Sequence, residues 1–302
     1  MPDESVAPET STTPPTEPTP EGGNPVEAAA TSEPAPASTE SPAPPPTDVA
    51  APPAAEEAPS PTTGADVGTP AAPAQTSMAA PRGLTYAVDI VFCIDVTGSM
   101  TPILDQVKSN ALRFYDDVQR NLTEKGKNVD HLRVRIIAFR DFAADGAAAM
   151  QESSFYELPR DQANFSDFVS TLVPEGGGDA PESGLEAVAL AIDSPWTTMG
   201  DRRRQVIVVW TDQPAQPLGT ALPSEFAARV PANFSDLTDL WENEQGPMGA
   251  SSKRLIVFAP DGPGWSDVSG AWENVVHHPS QAGGGLSDVD YGTIVDSIGN
   301  SV

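Results

Sequence analysis

The sequence predicts an α/β fold, a doubly wound and mostly parallel sheet flanked by helices over residues 83–302, preceded by a disordered arm over residues 1–82. Three observations predict it. Apolar runs of strand length recur along the second part of the chain, stretches with helical apolar spacing lie between them, and composition changes abruptly near residue 82.

Residues 1–80 hold 19 of the 33 prolines and 12 acidic residues without one Lys or Arg. Such a segment, almost without large apolar side chains, buries too little surface to offset its chain entropy. Proline geometry and acidic self-repulsion favour extension. About 220 residues remain, enough for one domain with a full core.

The run from Tyr86 to Ile94 is nearly all apolar, the pattern of a strand covered on both faces. A helix follows, with Ile103, Leu104, Val107, Leu112, Phe114, Tyr115 and Val118 on its apolar side. Leu132–Phe139 is a second strand, Phe155–Leu158 a short edge strand, and Phe165–Leu172 a short helix. After the triple glycine at 176–178, a helix is expected to begin near Pro181, since proline suits the first turn. Arg202–Arg204 reads as a solvated turn, with pairing to the acidic arm as the alternative, before a third strand, Gln205–Thr211. A helix around Leu237, Leu240 and Trp241, a fourth strand at Leu255–Ala259, and helices near Ser266–Val276 and Val289–Ile298 complete the order. Alternating strands and helices make right-handed βαβ units.

Charge excludes several functions. The net charge is −27, which lacks the footprint of a nucleic-acid binder and repels anionic membrane surfaces. No apolar run approaches the ~20 residues of a spanning helix. The start, Met1-Pro2-Asp3-Glu4, is neither basic nor apolar, so no secretory signal is expected. The lone Cys93 excludes an internal disulfide and a cysteine-based zinc site, and it reads as a core residue. A cytoplasmic monomer is the expectation. No glycine-rich nucleotide motif follows the first strand.

In a doubly wound sheet the working crevice lies beyond the carboxyl ends of the strands. Three polar loops fall there: Asp95-Val96-Thr97-Gly98-Ser99-Met100, Gly178-Asp179-Ala180-Pro181-Glu182 and Thr211-Asp212-Gln213-Pro214. Asp95, Thr97 and Ser99 alternate by two, so an extended turn aims all three into one pocket. Carboxylate and hydroxyl oxygens suit a hard cation such as Mg²⁺, with Mn²⁺ or Ca²⁺ as substitutes. His277 and His278 are adjacent without a third nitrogen ligand and read as loop residues; His131 and the tryptophans read as ordinary packing.

The three loops, in this order, resemble the metal-ion-dependent adhesion site of von Willebrand factor type A domains. The resemblance covers roughly residues 86–300 and implies that Thr97 and Ser99 contact the metal directly, with Asp95 and Asp212 acting through water. The middle loop departs from adhesive members of the family, which have a threonine where this chain has Asp179. A direct bond from Asp179 would supply negative charge and lessen demand for a partner's carboxylate. Glu182 is expected in the first turn of the following helix, supporting the ligands from behind or capping that helix.

The resemblance thus implies a non-enzymatic protein-binding module whose metal accepts an acidic side chain from a protein partner. The alternative is a metal-dependent hydrolase or phosphotransfer enzyme at the same site, although no histidine or other general base lies in the three loops. A scaffold in which the arm is the working part is a third class.

Overall fold

The apolar run that begins at Tyr86 becomes the central strand of a seven-stranded sheet. The structure, a computed structural model, describes residues 84–302; the disordered arm expected over residues 1–82 lies outside the described residues. In chain order the elements are β1 (Tyr86–Asp95), α1 (Thr101–Asn110), α2 (Phe114–Glu124), β2 (His131–Phe139), α3 (Phe142–Asp145), β3 (Met150–Glu152), β4 (Tyr156–Leu158), α4 (Gln162–Thr171), α5 (Gly184–Ile192), β5 (Arg202–Trp210), α6 (Phe234–Glu242), β6 (Lys253–Pro260), α7 (Trp265–Ala271), β7 (Val275–Ser280) and α8 (Tyr291–Ser301).

Strands β2, β1, β5, β6 and β7 run parallel in that spatial order. Short β3 and β4 pair antiparallel with the outer side of β2, at Ile137–Phe139 and Leu132–Val134 respectively. Every residue of β1 after Tyr86 is buried. Alternation explains how one strand feeds two cores. Val88, Ile90, Phe92 and Ile94 pack with α1, α2, α4 and α8, whereas Val91 and Cys93 pack with α5, α6 and α7. Asp89, buried at the start of the second series, is neutralised by the Arg133 guanidinium through Nε at 2.8 Å and Nη2 at 2.5 Å. The chain leaves β1 toward β2 and later returns on its other side as β5, so strand order reverses between β1 and β5. That reversal places Asp95 and Asp212, at the ends of these two strands, on either side of one crevice.

Several elements differ from the sequence reading, each for a physical reason. The long helix expected after β1 is two helices separated by a tight turn at Ala111–Arg113, and Leu112, assigned to its apolar face, is 61% exposed. The middle-loop helix begins at Gly184 rather than Pro181, because Glu182 is held in a parallel bridge to Ala215. Arg202–Arg204 is not a turn; the three residues pair with Tyr86, Ala87 and Val88 and extend β5 beyond its apolar part. The helix expected over Ser266–Val276 stops at Ala271, and the chain forms β7. His277 and His278 therefore lie on a strand, where His278 stacks on Phe258 at 4.7 Å.

Candidate functional site

Buried Asp95 organises the first loop. Its Oδ1 accepts from the Thr97 amide at 2.9 Å and the Thr97 hydroxyl at 2.7 Å, and its Oδ2 accepts from the Thr211 hydroxyl at 2.6 Å. Thr97 Oγ1 lies 3.3 Å from Ser99 Oγ, and Ser99 Oγ donates to Asp212 Oδ1 at 2.9 Å. Four of the predicted residues, Asp95, Thr97, Ser99 and Asp212, thus form one continuous chain of oxygens across β1 and β5. Burial pushes the Asp95 carboxyl up to about 6, opposed by the Thr211 and Thr97 hydrogen bonds and reinforced by Asp212.

The loops are sewn together by backbone. Val96 donates its amide to Phe139, Glu175 to Val96, and Glu182 to Pro214. A fourth loop, between β7 and α8, joins them: Gly283 donates to the Asp212 carbonyl at 2.8 Å and Gly285 to Asp212 Oδ2 at 2.7 Å. The sequence reading missed this loop. Its triple glycine was the available signal, because a Cβ on Gly285 would lie 2.2 Å from the Ser99 carbonyl oxygen, and only glycine permits that approach.

Glu182 stands two residues before α5, not in its first turn, and is 3% exposed. Its Oε2 is buried without a hydrogen-bond partner. Burial, then the charges of Asp95, Asp141, Asp145 and Asp212, push its carboxyl up to about 9. Gly177 packs between it and the first loop, since a Cβ there would meet Thr97 Cγ2 at 2.3 Å and Glu182 Oε1 at 3.0 Å. The Gly177 amide donates to Asp145 Oδ2, which in turn pairs with Arg140 at 3.2 Å. Asp145 and Arg140, which the sequence reading did not single out, therefore position the middle loop. Asp179 is exposed on that loop and exchanges no hydrogen bond with the other four candidate ligands.

Among the described residues, no three His, Cys, Asp or Glu side chains are grouped to hold a metal ion. The donor set is instead two hydroxyls and two carboxylates. In an octahedron with bonds of about 2.0–2.1 Å, neighbouring oxygens lie about 2.9 Å apart. The separations here, 2.7 Å, 3.3 Å and 2.9 Å, are of that size and are bridged by hydroxyl protons. Hard oxygen donors at this spacing, beside a buried carboxylate oxygen without a partner, fit a small divalent cation.

In the first turn of α5, Glu186 is fully buried and accepts from the Gly219 amide at 2.9 Å, while its Oε2 has no partner. Burial raises its pKa from 4.5 to about 7. A raised folded-state pKa contributes stability that is complete below the unfolded value and disappears as pH rises through the folded one. Glu186→Gln keeps the acceptor for Gly219 without the charge. It is expected to leave the thermal midpoint near pH 4 almost unchanged and to raise it near pH 8.5, by no more than about 3 kcal/mol of stability. Parallel pH-dependent melts of the two chains measure this; equal gaps between the pH values would contradict it.

Residues 89–221 match a family model described as the von Willebrand factor A domain. Among curated proteins, the alpha-protein kinase vwkA of Dictyostelium discoideum is 29% identical over 127 residues, covering 42% of this chain. The matching part is only 18% of that relative's length. Similar solved structures include the vWF domain of the type V pili tip protein Mfa5 from Porphyromonas gingivalis, 21% identical over 45% of this chain and 42% of that one, TM-score 0.31. The PilB minor pilin from Streptococcus sanguinis is 10% identical over 73% of this chain and 62% of its own, TM-score 0.44.

Proposed function

We propose that this chain, whose residues 89–221 match the von Willebrand factor A domain model, binds a protein partner through a divalent cation held at the β1/β5 crevice. The observation that carries this reading is the unbroken oxygen series Asp95–Thr97–Ser99–Asp212 at the strand ends. A bound Mg²⁺ would supply a Lewis-acidic coordination position for a carboxylate from the partner.

Thr97 and Ser99 would hold the ion through their hydroxyls. Asp95 fixes the Thr97 side chain and amide, and Asp212 faces Ser99 while the Gly285 amide fixes its other oxygen. Asp179, exposed at the rim, adds negative charge that favours a cation and weakens attraction to an acidic partner. The role is non-enzymatic in this reading. A reducing, cytoplasmic setting is part of the proposal and rests on the single buried thiol of Cys93.

The test passes the full chain over immobilised peptides that each present one glutamate, and over the same peptides with glutamine. Binding is expected only to the glutamate peptides in Mg²⁺, with loss in chelator and in Ser99→Ala. Equal retention in chelator would overturn the proposal. Mg²⁺-dependent phosphoester turnover that vanishes in Asp95→Asn would replace it with the hydrolase reading.

A further inference from the structure

The charge of this protein is distributed unevenly at the opposite pole of the sheet. Of the fifteen Lys and Arg among the described residues, nine form ion pairs. The other six are Lys108, Lys127, Arg202, Arg203, Arg204 and Arg254. Four of these six, Lys127, Arg202, Arg203 and Arg204, line one pocket of about 460 Å³ together with Tyr86, Asp201, Ser251, Ser252 and Val302. Arg254 stands beside them on β6, where burial and then the charge of Arg204 hold its guanidinium below the usual range. Lys127 is held down likewise, by burial, then Lys125 and Arg204.

Sequence and ladder explain the gathering. β5 extends past its apolar part, so Arg202 and Arg204 sit in register with Tyr86 and Val88 at the amino ends of the parallel strands. Alternation sends Arg202 and Arg204 to one face and Arg203 to the other, around the strand end. With about 3.3 Å per residue, Arg204 lies roughly 25 Å from Asp212, remote from the crevice. Two of the pocket's cations are tied to neutral backbone, Lys127 donating to the Gly299 carbonyl and Arg203 to that of Thr198, while the Tyr86 hydroxyl donates to the Val302 main-chain oxygen. Arg204 reaches the carbonyls of Arg203 and Ser251, and its Nε is buried without an acceptor. The one side-chain carboxylate in the lining, Asp201, accepts hydrogen bonds from the amide and hydroxyl of Thr85.

Four cationic side chains against the single Asp201 carboxylate leave a local excess of positive charge, which raises the energy of the free protein and lowers that of an anionic complex. Guanidinium groups match phosphate oxygens with paired N–H donors. A volume of about 460 Å³ exceeds one phosphate and falls in the range of small-molecule sites. A long polyanion would be repelled by a chain of net charge −27, whereas a compact one meets only the local cations.

We infer that this pocket binds a small ligand bearing two or more phosphate groups. The site is independent of the metal crevice and of the function proposed for it.

The test titrates the full chain calorimetrically, in low-salt buffer freed of divalent cations, with orthophosphate, pyrophosphate and tripolyphosphate. Tripolyphosphate is expected to saturate a single site and to bind more tightly than orthophosphate by about tenfold or more. Exposed Arg202 and Arg203 are then replaced together by alanine, and Lys127→Gln is made separately, with thermal melts as the check on folding. Each variant is expected to weaken tripolyphosphate by about tenfold, and Ser99→Ala to leave it unchanged. Absence of saturable heat with tripolyphosphate, equal affinity in folded variants, or loss of binding in Ser99→Ala would overturn the inference.

Discussion

An Asp95→Asn chain is expected to melt within about 1 kcal/mol of wild type while its Mg²⁺ affinity falls by about 100-fold. The two effects separate because the carboxylate has two jobs. As a hydrogen-bond acceptor it receives the Thr97 amide and hydroxyl on Oδ1, and an amide carbonyl does the same. Its Oδ2 receives the Thr211 hydroxyl, which lies within 3.4 Å of the Gln213 carbonyl and accepts from the Gln213 amide. If Oδ2 becomes an NH₂, that hydroxyl can turn to donate to Gln213 and accept from the new amide. As a negative charge facing a cation, the carboxylate has no such substitute. Asp95→Ala serves as the contrast. It strands donors in a buried site at about 1–3 kcal/mol for each group left unpaired, and a domain of this size loses roughly 2–4 °C per kcal/mol. Thermal melts with and without Mg²⁺ read both quantities. An Asn variant that still gains stability from Mg²⁺ as wild type does would refute the assignment.

Gly285→Ala is expected to weaken Mg²⁺ binding by about 10–100-fold, the range for groups that orient metal ligands, and to destabilise the domain more than Gly283→Ala. Both glycines have positive φ, +59° and +69°, so alanine at either costs about 1–2 kcal/mol of left-handed strain. They differ in surroundings. A Cβ at 283 meets nothing within 4 Å, whereas one at 285 falls 2.2 Å from the Ser99 carbonyl oxygen and 3.1 Å from Pro102. Backbone cannot swing aside as a long side chain does, so the loop must lift. Lifting it withdraws the Gly285 amide from Asp212 Oδ2. Comparing the two variants therefore isolates the close approach from the strain. Equal losses of Mg²⁺ affinity in both would show that the fourth loop does not position Asp212.

Much of the fold was legible because burial writes itself into sequence. The run Tyr86–Asp95 is apolar on both faces because both faces are covered, and strand β5 repeats the pattern. β7 was not legible, since an edge strand needs one covered side only, and Val275–Ser280 holds only half-buried and exposed positions. Arg202–Arg204 was misread for a related reason. Their strand geometry comes from the ladder with β1, a long-range partner that local composition does not reveal. Asp95, Thr97, Ser99 and Asp212 were legible as a set because loops after parallel strands must gather at one pole. Asp145 with Arg140 and the glycines of the fourth loop were not, because they act through backbone amides and contact distances rather than through a recognisable side-chain pattern.

Direct calorimetric titration of Mg²⁺ and Mn²⁺ into the full chain, beside Ser99→Ala, tests the central claim most simply. Ser99 is exposed, so its loss leaves the fold intact while removing the oxygen that links Thr97 to Asp212. The expected result is saturable one-site heat in wild type that disappears in a variant with an unchanged thermal midpoint. Heat of the same size and affinity in Ser99→Ala, or none in wild type, would contradict the account.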